Sequence, residues 1–298
     1  MTKLYIKILF LVFAILVSRS ALAGTPEEIR VTNVHGASFT VSWTSQRNEG
    51  GQVKYGTDPA LYSNWQTAND DRGVDVVDDI HYVTVSDLSQ NTVYYFEVIS
   101  GGATDNNGGR YYTINSGPYA VPPPGDCTPA GKIYKDLTMT QLAYNSVVYI
   151  TILGGRGIED SATESILYTS KSNGYWFIDL INFRNKSNTD FYPFACESNS
   201  ISIEVFDGDC GSARIASIAK DFSISGELDP IILNPLNGSR GDTGSSGGCF
   251  ICTGNIRTSF DSSTIILLIL LISAFILFIN AITLLQHDLK INHIKSDE

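Results

Sequence analysis

The chain reads as all-β: two antiparallel β-sandwiches in tandem, followed by one transmembrane helix. Three observations predict this. Short strand-like segments recur at intervals of roughly ten residues with turn residues between them. The composition favours pleated structure, with 15 Tyr, 14 Phe and 26 Gly against only two Met in 298 residues. Thr264 to Leu285 is an uncharged run rich in Ile and Leu, which at about 1.5 Å per residue is long enough to cross a bilayer core as a helix.

The ends carry the targeting information. Lys3 and Lys7 precede an unbroken apolar run from Ile8 to Val17, and Ala21-Leu22-Ala23 supplies the small-x-small pattern of a signal-peptidase site. Residues 1–23 are therefore expected to be a signal peptide, with an uncleaved anchor that also draws on Leu4 to Ile6 as the alternative. The C-terminal run, 264–285, shows no polar face, and export sets its orientation. Residues 24–263 are expected outside the cytoplasm, at a bacterial cell surface or in a periplasm, and residues 286–298 form a short inner tail. Lys and Arg total 20 against 31 Asp and Glu, a net charge of −11. Without Lys3, Lys7 and Arg19 the balance becomes 17 against 31, close to −14. That argues against a nucleic-acid partner, since phosphate contacts need a basic stripe.

The first module spans residues 24–122. Its clearest strands are Ile29 to Val34, Ser38 to Trp43, Gly51 to Tyr55, His81 to Val85, Thr92 to Ser100 and Arg110 to Ile114. Phe39, Val41 and Trp43 alternate onto one face, as do Tyr94, Phe96 and Val98, which is what a sheet with one hidden face demands. Asp105-Asn106-Asn107-Gly108-Gly109 suits a hairpin loop, because Asn and Gly tolerate positive φ. The segment Ser38-Phe39-Thr40-Val41-Ser42-Trp43 resembles the second strand of a fibronectin type III domain, with Trp43 as the core tryptophan. Leu88-x-x-x-Thr92-x-Tyr94-x-x-x-Val98 is similar to that family's corner motif, which implies that the Tyr94 hydroxyl hooks back onto the preceding loop. Gln90 stands where the family usually has Pro. Val53-Lys54-Tyr55-Gly56-Thr57 followed by His81-Tyr82-Val83-Thr84-Val85 resembles the N-terminal domain of purple acid phosphatases.

That resemblance raises an enzyme hypothesis. A dinuclear phosphatase needs several Asp, Asn and His ligands to hold two cations. Outside the inner tail there are two His, His35 and His81, both read as ordinary surface residues. Asp207-Gly208-Asp209 is the only fragment similar to a metallophosphatase motif, and no His-bearing segments follow it. Asp70, Asp71, Asp75, Asp78 and Asp79 bracket a loop whose spacing matches no calcium loop, and a solvated acidic loop is expected. No cofactor motif emerges.

Val121-Pro122-Pro123-Pro124-Gly125 begins a stiff linker, assigned to residues 123–127. The second module, 128–235, offers strands at Ile133-Tyr134, Ser146 to Leu153, Ile166 to Thr169, Tyr175 to Ile181, Ile201 to Phe206 and Ile231 to Leu233. Asn173-Gly174 is a hairpin signal, and Trp176, Ile178 and Leu180 share a face, with Trp176 expected in the core. Gly131-Lys132-Ile133-x-x-Asp136, Ser146-Val147-Val148-Tyr149-Ile150 and Thr169-x-x-x-Asn173-Gly174-Tyr175-Trp176 together resemble the carboxypeptidase-regulatory-like, transthyretin-like sandwich. The resemblance implies an Ig-like, seven-stranded fold and assigns no activity.

Five Cys is an odd number for an exported chain. Cys196 and Cys210 flank a strand and are the candidate disulfide, worth about 3 kcal/mol by loop-closure entropy, with Cys127 a rival partner. Residues 236–263 form a Gly/Ser-rich stalk that includes Arg240-Gly241-Asp242. Gly247-Gly248-Cys249-Phe250-Ile251 resembles the start of the CFI-box of some exported bacterial proteins, which implies that Cys249 is a processing or lipid-attachment thiol. Cys252-Thr253-Gly254-Asn255 departs from that box, and a stalk thiol, free or bonded to Cys252, is the alternative. The functional expectation is a membrane-anchored binding or adhesion protein without catalysis or cofactor, taking a protein or glycan ligand. An accessory subunit that holds an enzyme at the membrane is the second class, and a hydrolase the third.

Overall fold

The computed structural model describes residues 24–154, 157–169, 174–208, 211–223 and 226–234. The signal peptide, Cys210, the stalk with Cys249 and the expected span 264–285 lie outside the described residues. Among the described residues no helix is long and apolar enough to cross a membrane.

The first module is a sandwich of two antiparallel sheets. One sheet has the order β1-β2-β5, from Glu27–His35, Ser38–Glu49 and Asp78–Val85. The other has the order β4-β3-β6, from Gln66–Asn69, Gly51–Gly56 and Val93–Ser100. The free edge of β6 carries both β7 (Ala103–Asp105) and β8 (Tyr112–Asn115). Phe39, Val41 and Trp43 from β2 meet Val53, Phe96 and Val98 from the opposite sheet to form its core. The Asp105 to Gly109 run therefore interrupts one edge strand, where a loop between two paired strands was expected. The short strands β4 and β7 escape a sequence reading because Gln, Thr, Asn and Asp dominate them.

The second module is built on a four-stranded antiparallel sheet of order β12-β11-β14-β15, from Glu164–Leu167, Val147–Leu153, Ser200–Phe206 and Ser212–Ala219. The facing layer is not a continuous sheet. It consists of two short pairs, β9 (Ala130–Gly131) with β13 (Trp176–Phe177) and β10 (Ile133–Tyr134) with β16 (Ile231–Ile232), plus a 3₁₀ turn at Leu180–Asn182. The long strand expected over Tyr175 to Ile181 is thus corrected to Trp176–Phe177, while the hairpin turn expected at Asn173-Gly174 begins outside the described residues. After Phe177 the chain turns at Asp179, whose carboxylate caps the turn by accepting from the Ile181 N–H. The 3₁₀ turn still buries Leu180 in the core beside Trp176.

The expected disulfide is also corrected: Cys196 bonds to Cys127, not to Cys210. The two half-cystines are 69 residues apart and belong to the second core. Sequence proximity favoured Cys210, whereas burying the linker exit against the segment before β14 brings Cys127 alongside.

The two sandwiches lie face to face despite the Pro-rich connection. The outward face of β1-β2-β5 covers the outward face of β12-β11-β14. Ile80 and Tyr82 pack on Val147 and Tyr149 in a third apolar cluster. The two central residues that alternate with the β2 core positions do not reach solvent. Thr40 and Ser42 are each 1% exposed, and Ser42 shares a 2.7 Å hydrogen bond with the Tyr149 hydroxyl. Thr32 shares one of 2.6 Å with Ser165. Arg30 forms a bidentate pair with Glu204 at 2.8 and 3.0 Å and lies over the Tyr149 ring.

Asn33 holds the centre of this contact. A register shift in β1 between Thr32 and His35 puts Asn33 at φ 52°, a left-handed conformation that Asn tolerates. Its Oδ1 accepts from the Ser165 N–H at 2.7 Å, and its Nδ2 donates to the Ser165 carbonyl at 2.9 Å. One side-chain amide thereby pairs the backbone of the edge strand β12.

Two outcomes follow. Asn33→Gly keeps the backbone angle and deletes the amide, leaving the buried Ser165 N–H unpaired while the Ser165 carbonyl keeps the Tyr82 hydroxyl; a loss of about 2 kcal/mol is expected in urea unfolding. Cys127→Ser is expected to cost roughly 4 kcal/mol, from the 69-residue separation it ceases to bridge, and a non-reduced digest of the parent chain is expected to yield a peptide pair joining residues 127 and 196.

Candidate functional site

A cleft of about 270 Å³ opens at the end of the inter-module contact. The register shift that places Asn33 also brings His35 to the cleft wall, while β12 begins with Glu164 opposite. The His35 Nε2 lies 3.4 Å from Glu164 Oε2. His35 is one-third exposed, and the surface reading misses its contact with Glu164 across the modules. Burial pushes the Glu164 carboxyl above its ordinary value, with His35 and then Arg184 opposing. Thr40, Thr84 and Ser165 line the floor, and Asp179 and Asn182 line the second-module wall.

His81 is not a surface residue. It is fully buried, stacked on Trp43 at 4.9 Å, with Asp70 3.7 Å from Nδ1 and the Ser45 hydroxyl 3.3 Å from Nε2. These are the residue types of a nucleophilic triad, but Asp70 and Ser45 are only 4% and 8% exposed, and the group stitches the sandwich together. Space here is tight: a Cβ on Gly51 would stand 2.3 Å from His81 Nδ1.

Of the acidic loop, Asp70 is buried, Asp78 and Asp79 are half-buried, and Asp71 and Asp75 are exposed, as expected of a solvated loop. Asp70 accepts from Arg72 Nε at 2.8 Å, and Asp71 accepts from the Thr84 hydroxyl at 2.7 Å. Burial alone would raise the Asp70 carboxyl, but hydrogen bonds from Arg72 and His81 outweigh it and hold the group well below the usual range. Among the described residues no three His, Cys, Asp or Glu side chains converge to hold a metal. Asp207, 6% exposed, faces Lys135 at 3.9 Å. Its neighbour Gly208, at φ +48°, lies against Asp79, whose Oδ2 would be 2.4 Å from an added Cβ. Burial pushes the Asp207 carboxyl up to about 7; Lys135 opposes this, and the like charges of Asp79 and Asp78 add to it.

The other sheet of the first module carries an aromatic ledge that the sequence did not flag. The 3₁₀ segment Pro59–Asn64, capped by Asp58, lies over β3 and β6 and presents Leu61 and Tyr62. Tyr62 lies 5.2 Å from Trp65 and 6.2 Å from Tyr111, and Trp65 lies 4.8 Å from Tyr111. Lys54 Nζ sits 3.4 Å over the Tyr62 ring, and the Tyr62 hydroxyl donates to Glu97 at 2.5 Å. Tyr111 occupies φ 60°, an outlier for a bulky residue. The loop that interrupts the edge strand thus sets Tyr111 against Trp65.

Residues 26–116 match the family model of the purple acid phosphatase N-terminal domain. The match covers the whole of this first sandwich and none of the second. Solved structures with likeness to the chain are fibronectin type III domains. The chicken CNTN1 FN1–FN3 structure is 13% identical, over 66% of this chain and 65% of that one, with a TM-score of 0.25. The fn3 domain of human contactin 1 is 16% identical, over 36% of this chain and 95% of that one, with a TM-score of 0.24. Likenesses at such TM-scores carry no functional inference. No curated protein matches the sequence.

Of the residues singled out from sequence, Trp43 and Tyr94 sit in the first module's core and Trp176 in the second core. The Tyr94 hydroxyl accepts from the Ser89 N–H at 2.9 Å. None of the three lines the cleft. Asn33 and Glu164 were missed, although a polar amide inside an apolar strand and a carboxylate at the head of one are both disfavoured placements.

Asp207 predicts a pH dependence. Its folded-state value is raised, so its contribution is fully present below the ordinary carboxylate range and is lost as pH rises through about 7. Asp207→Asn is expected to flatten the stability profile between about pH 4 and pH 7, measured as denaturation midpoints across that window.

Proposed function

We propose that the chain is an exported, membrane-anchored binding protein that meets a protein partner through the aromatic ledge. The observation that carries this reading is Tyr111, a bulky side chain held at φ 60° where it packs over the buried Trp65 beside the exposed Tyr62. Strained residues persist where the surroundings over-determine them, and they concentrate at sites of function. Tyr and Trp are also the side chains enriched at the energetic centres of protein interfaces. One sheet of the first sandwich is consumed by docking, so the opposite sheet is left to face outward. The Cys127–Cys196 bond supports an oxidising, extracytoplasmic location. The span 264–285 supplies the anchor, and the matched family segment is the non-catalytic part of the phosphatases. That same match favours a second reading, an accessory subunit beside an enzyme.

Crosslinking from position 62 on intact cells separates the readings. Capture of one membrane-bound enzyme indicates the accessory role, and capture of an external protein indicates adhesion. Tyr62→Ala combined with Tyr111→Gly, which relieves the positive φ, is expected to lower capture at least tenfold with the fold retained. Turnover of phosphate esters by the purified chain, lost on unfolding, would overturn the non-enzymatic reading.

A further inference from the structure

The loop that interrupts the edge strand closes on itself through its own amides. The Asn107 N–H donates to Asp105 Oδ1 at 2.9 Å, the Gly109 N–H to Asn106 Oδ1 at 2.8 Å, and the Tyr111 N–H to the Asn106 carbonyl at 2.8 Å. Asn107 Nδ2 donates to the Tyr111 carbonyl at 3.2 Å. Tyr111 is therefore tied at its N–H to Asn106 and at its carbonyl to Asn107, and these ties hold it at φ 60° over Trp65.

Two neighbours in this loop are arranged for a reaction. Asn107-Gly108 is the one Asn-Gly pair among the described residues, and both are exposed. A Cβ on Gly108 would meet nothing within 4 Å, so the approach to its nitrogen is open. Among the described residues the Gly108 N–H makes no hydrogen bond, whereas those of Asn107, Gly109, Arg110 and Tyr111 do. A backbone nitrogen must shed its proton to attack a side-chain amide, and an unpaired N–H sheds it most readily. Asn106 is set differently: its Oδ1 is committed to Gly109, and the nitrogen that follows it is bonded to Asp105.

We propose that Asn107 is a site of spontaneous modification, in which the Gly108 nitrogen attacks Asn107 Cγ and water opens the resulting cyclic imide to aspartate or isoaspartate. In the first step a C–N bond forms, the Cγ–Nδ2 bond breaks, and the Gly108 proton leaves with the departing nitrogen as ammonia. Ring closure between adjacent groups carries the advantage of an intramolecular reaction. Water then adds to one of the two imide carbonyls and reopens its C–N bond. Both products lose the Nδ2 donor to Tyr111. Isoaspartate also adds one main-chain atom, about 1.5 Å of path, between Asn106 and Tyr111. A loop closed by the bond between those two residues does not absorb the insertion, so Tyr111 is released from Trp65. The consequence for a partner rests on the function proposed above; the modification itself does not.

Incubation of the full-length chain in detergent at mildly alkaline pH tests it, read by peptide mass spectrometry and isoaspartate methyltransferase labelling. Asn107 is expected to convert at least tenfold faster than Asn106 or the exposed Asn64, which precedes bulky Trp65, and to convert more slowly in mildly acidic buffer. Hydrogen exchange of the Tyr111 amide is expected to rise at least tenfold in the modified fraction. Asn107→Gln, whose longer side chain closes the ring poorly, is expected to stay unmodified. Conversion of Asn107 no faster than that of Asn106 and Asn64, or isoaspartate at 107 with unchanged Tyr111 exchange, would overturn the proposal. Capture from position 62 is expected to fall in the modified fraction. Absence of capture by the unmodified chain overturns the ledge reading instead, and the mass and exchange outcomes still decide this one.

Discussion

The Asn33 amide exchanges two hydrogen bonds with the Ser165 backbone, at 2.7 and 2.9 Å, and the arrangement of the two sandwiches depends on that exchange. An edge strand offers unpaired N–H and C=O groups, which must find partners when buried. β12 is such an edge. Another strand would have merged the two modules into one sheet. A side-chain amide pairs the edge at one residue and leaves the sheets separate, face against face. The left-handed angle at Asn33 aims the amide, so a local irregularity in β1 sets a global packing arrangement.

This arrangement decides what the alternating residues of β2 mean. Thr40 and Ser42 would ordinarily be a solvated face. Covered by β11 and β12, they are buried and must be paired, and hydroxyl partners from Thr84 and Tyr149 meet that need. A polar, hydrogen-bonded contact fixes relative orientation more tightly than apolar packing alone, because each bond has a preferred length and angle. β11 is correspondingly buried on both faces: Ile150 and Ile152 point to its own core, and Val147 and Tyr149 to the neighbouring module.

A few of the chain's acidic groups hold the structure together. Asp70 anchors Arg72 and contacts His81, Asp71 pairs with Thr84, and Glu204 binds Arg30 across the modules. Asp207 and Glu164 are the costly exceptions, carboxyl groups buried at the module boundary with their ionised forms disfavoured. One lies beside Lys135 and the other beside His35, so the boundary is where protonation has the greatest leverage.

Much of the first sandwich was legible in the sequence because alternation reports a one-sided core directly: Phe39, Val41 and Trp43 could face only one way together. The corner tyrosine was legible for the same local reason, since Leu88, Thr92 and Tyr94 lie within one turn of chain. Strands made of polar or small residues, such as β4 and β15, carried no such signal, because their place depends on the neighbours that pair them. The cysteine partner was read from nearness in sequence, whereas burial in the second core chose Cys127. The roles of Asn33, His35 and Glu164 belong wholly to tertiary structure. Each lies more than 100 residues from, or across the module boundary from, the group it meets. The sequence by itself determined two β-rich modules, because periodicity is a property of neighbours along the chain. Only the fold decided which faces meet and which stay open, because pairing across the boundary depends on distances that no local pattern encodes.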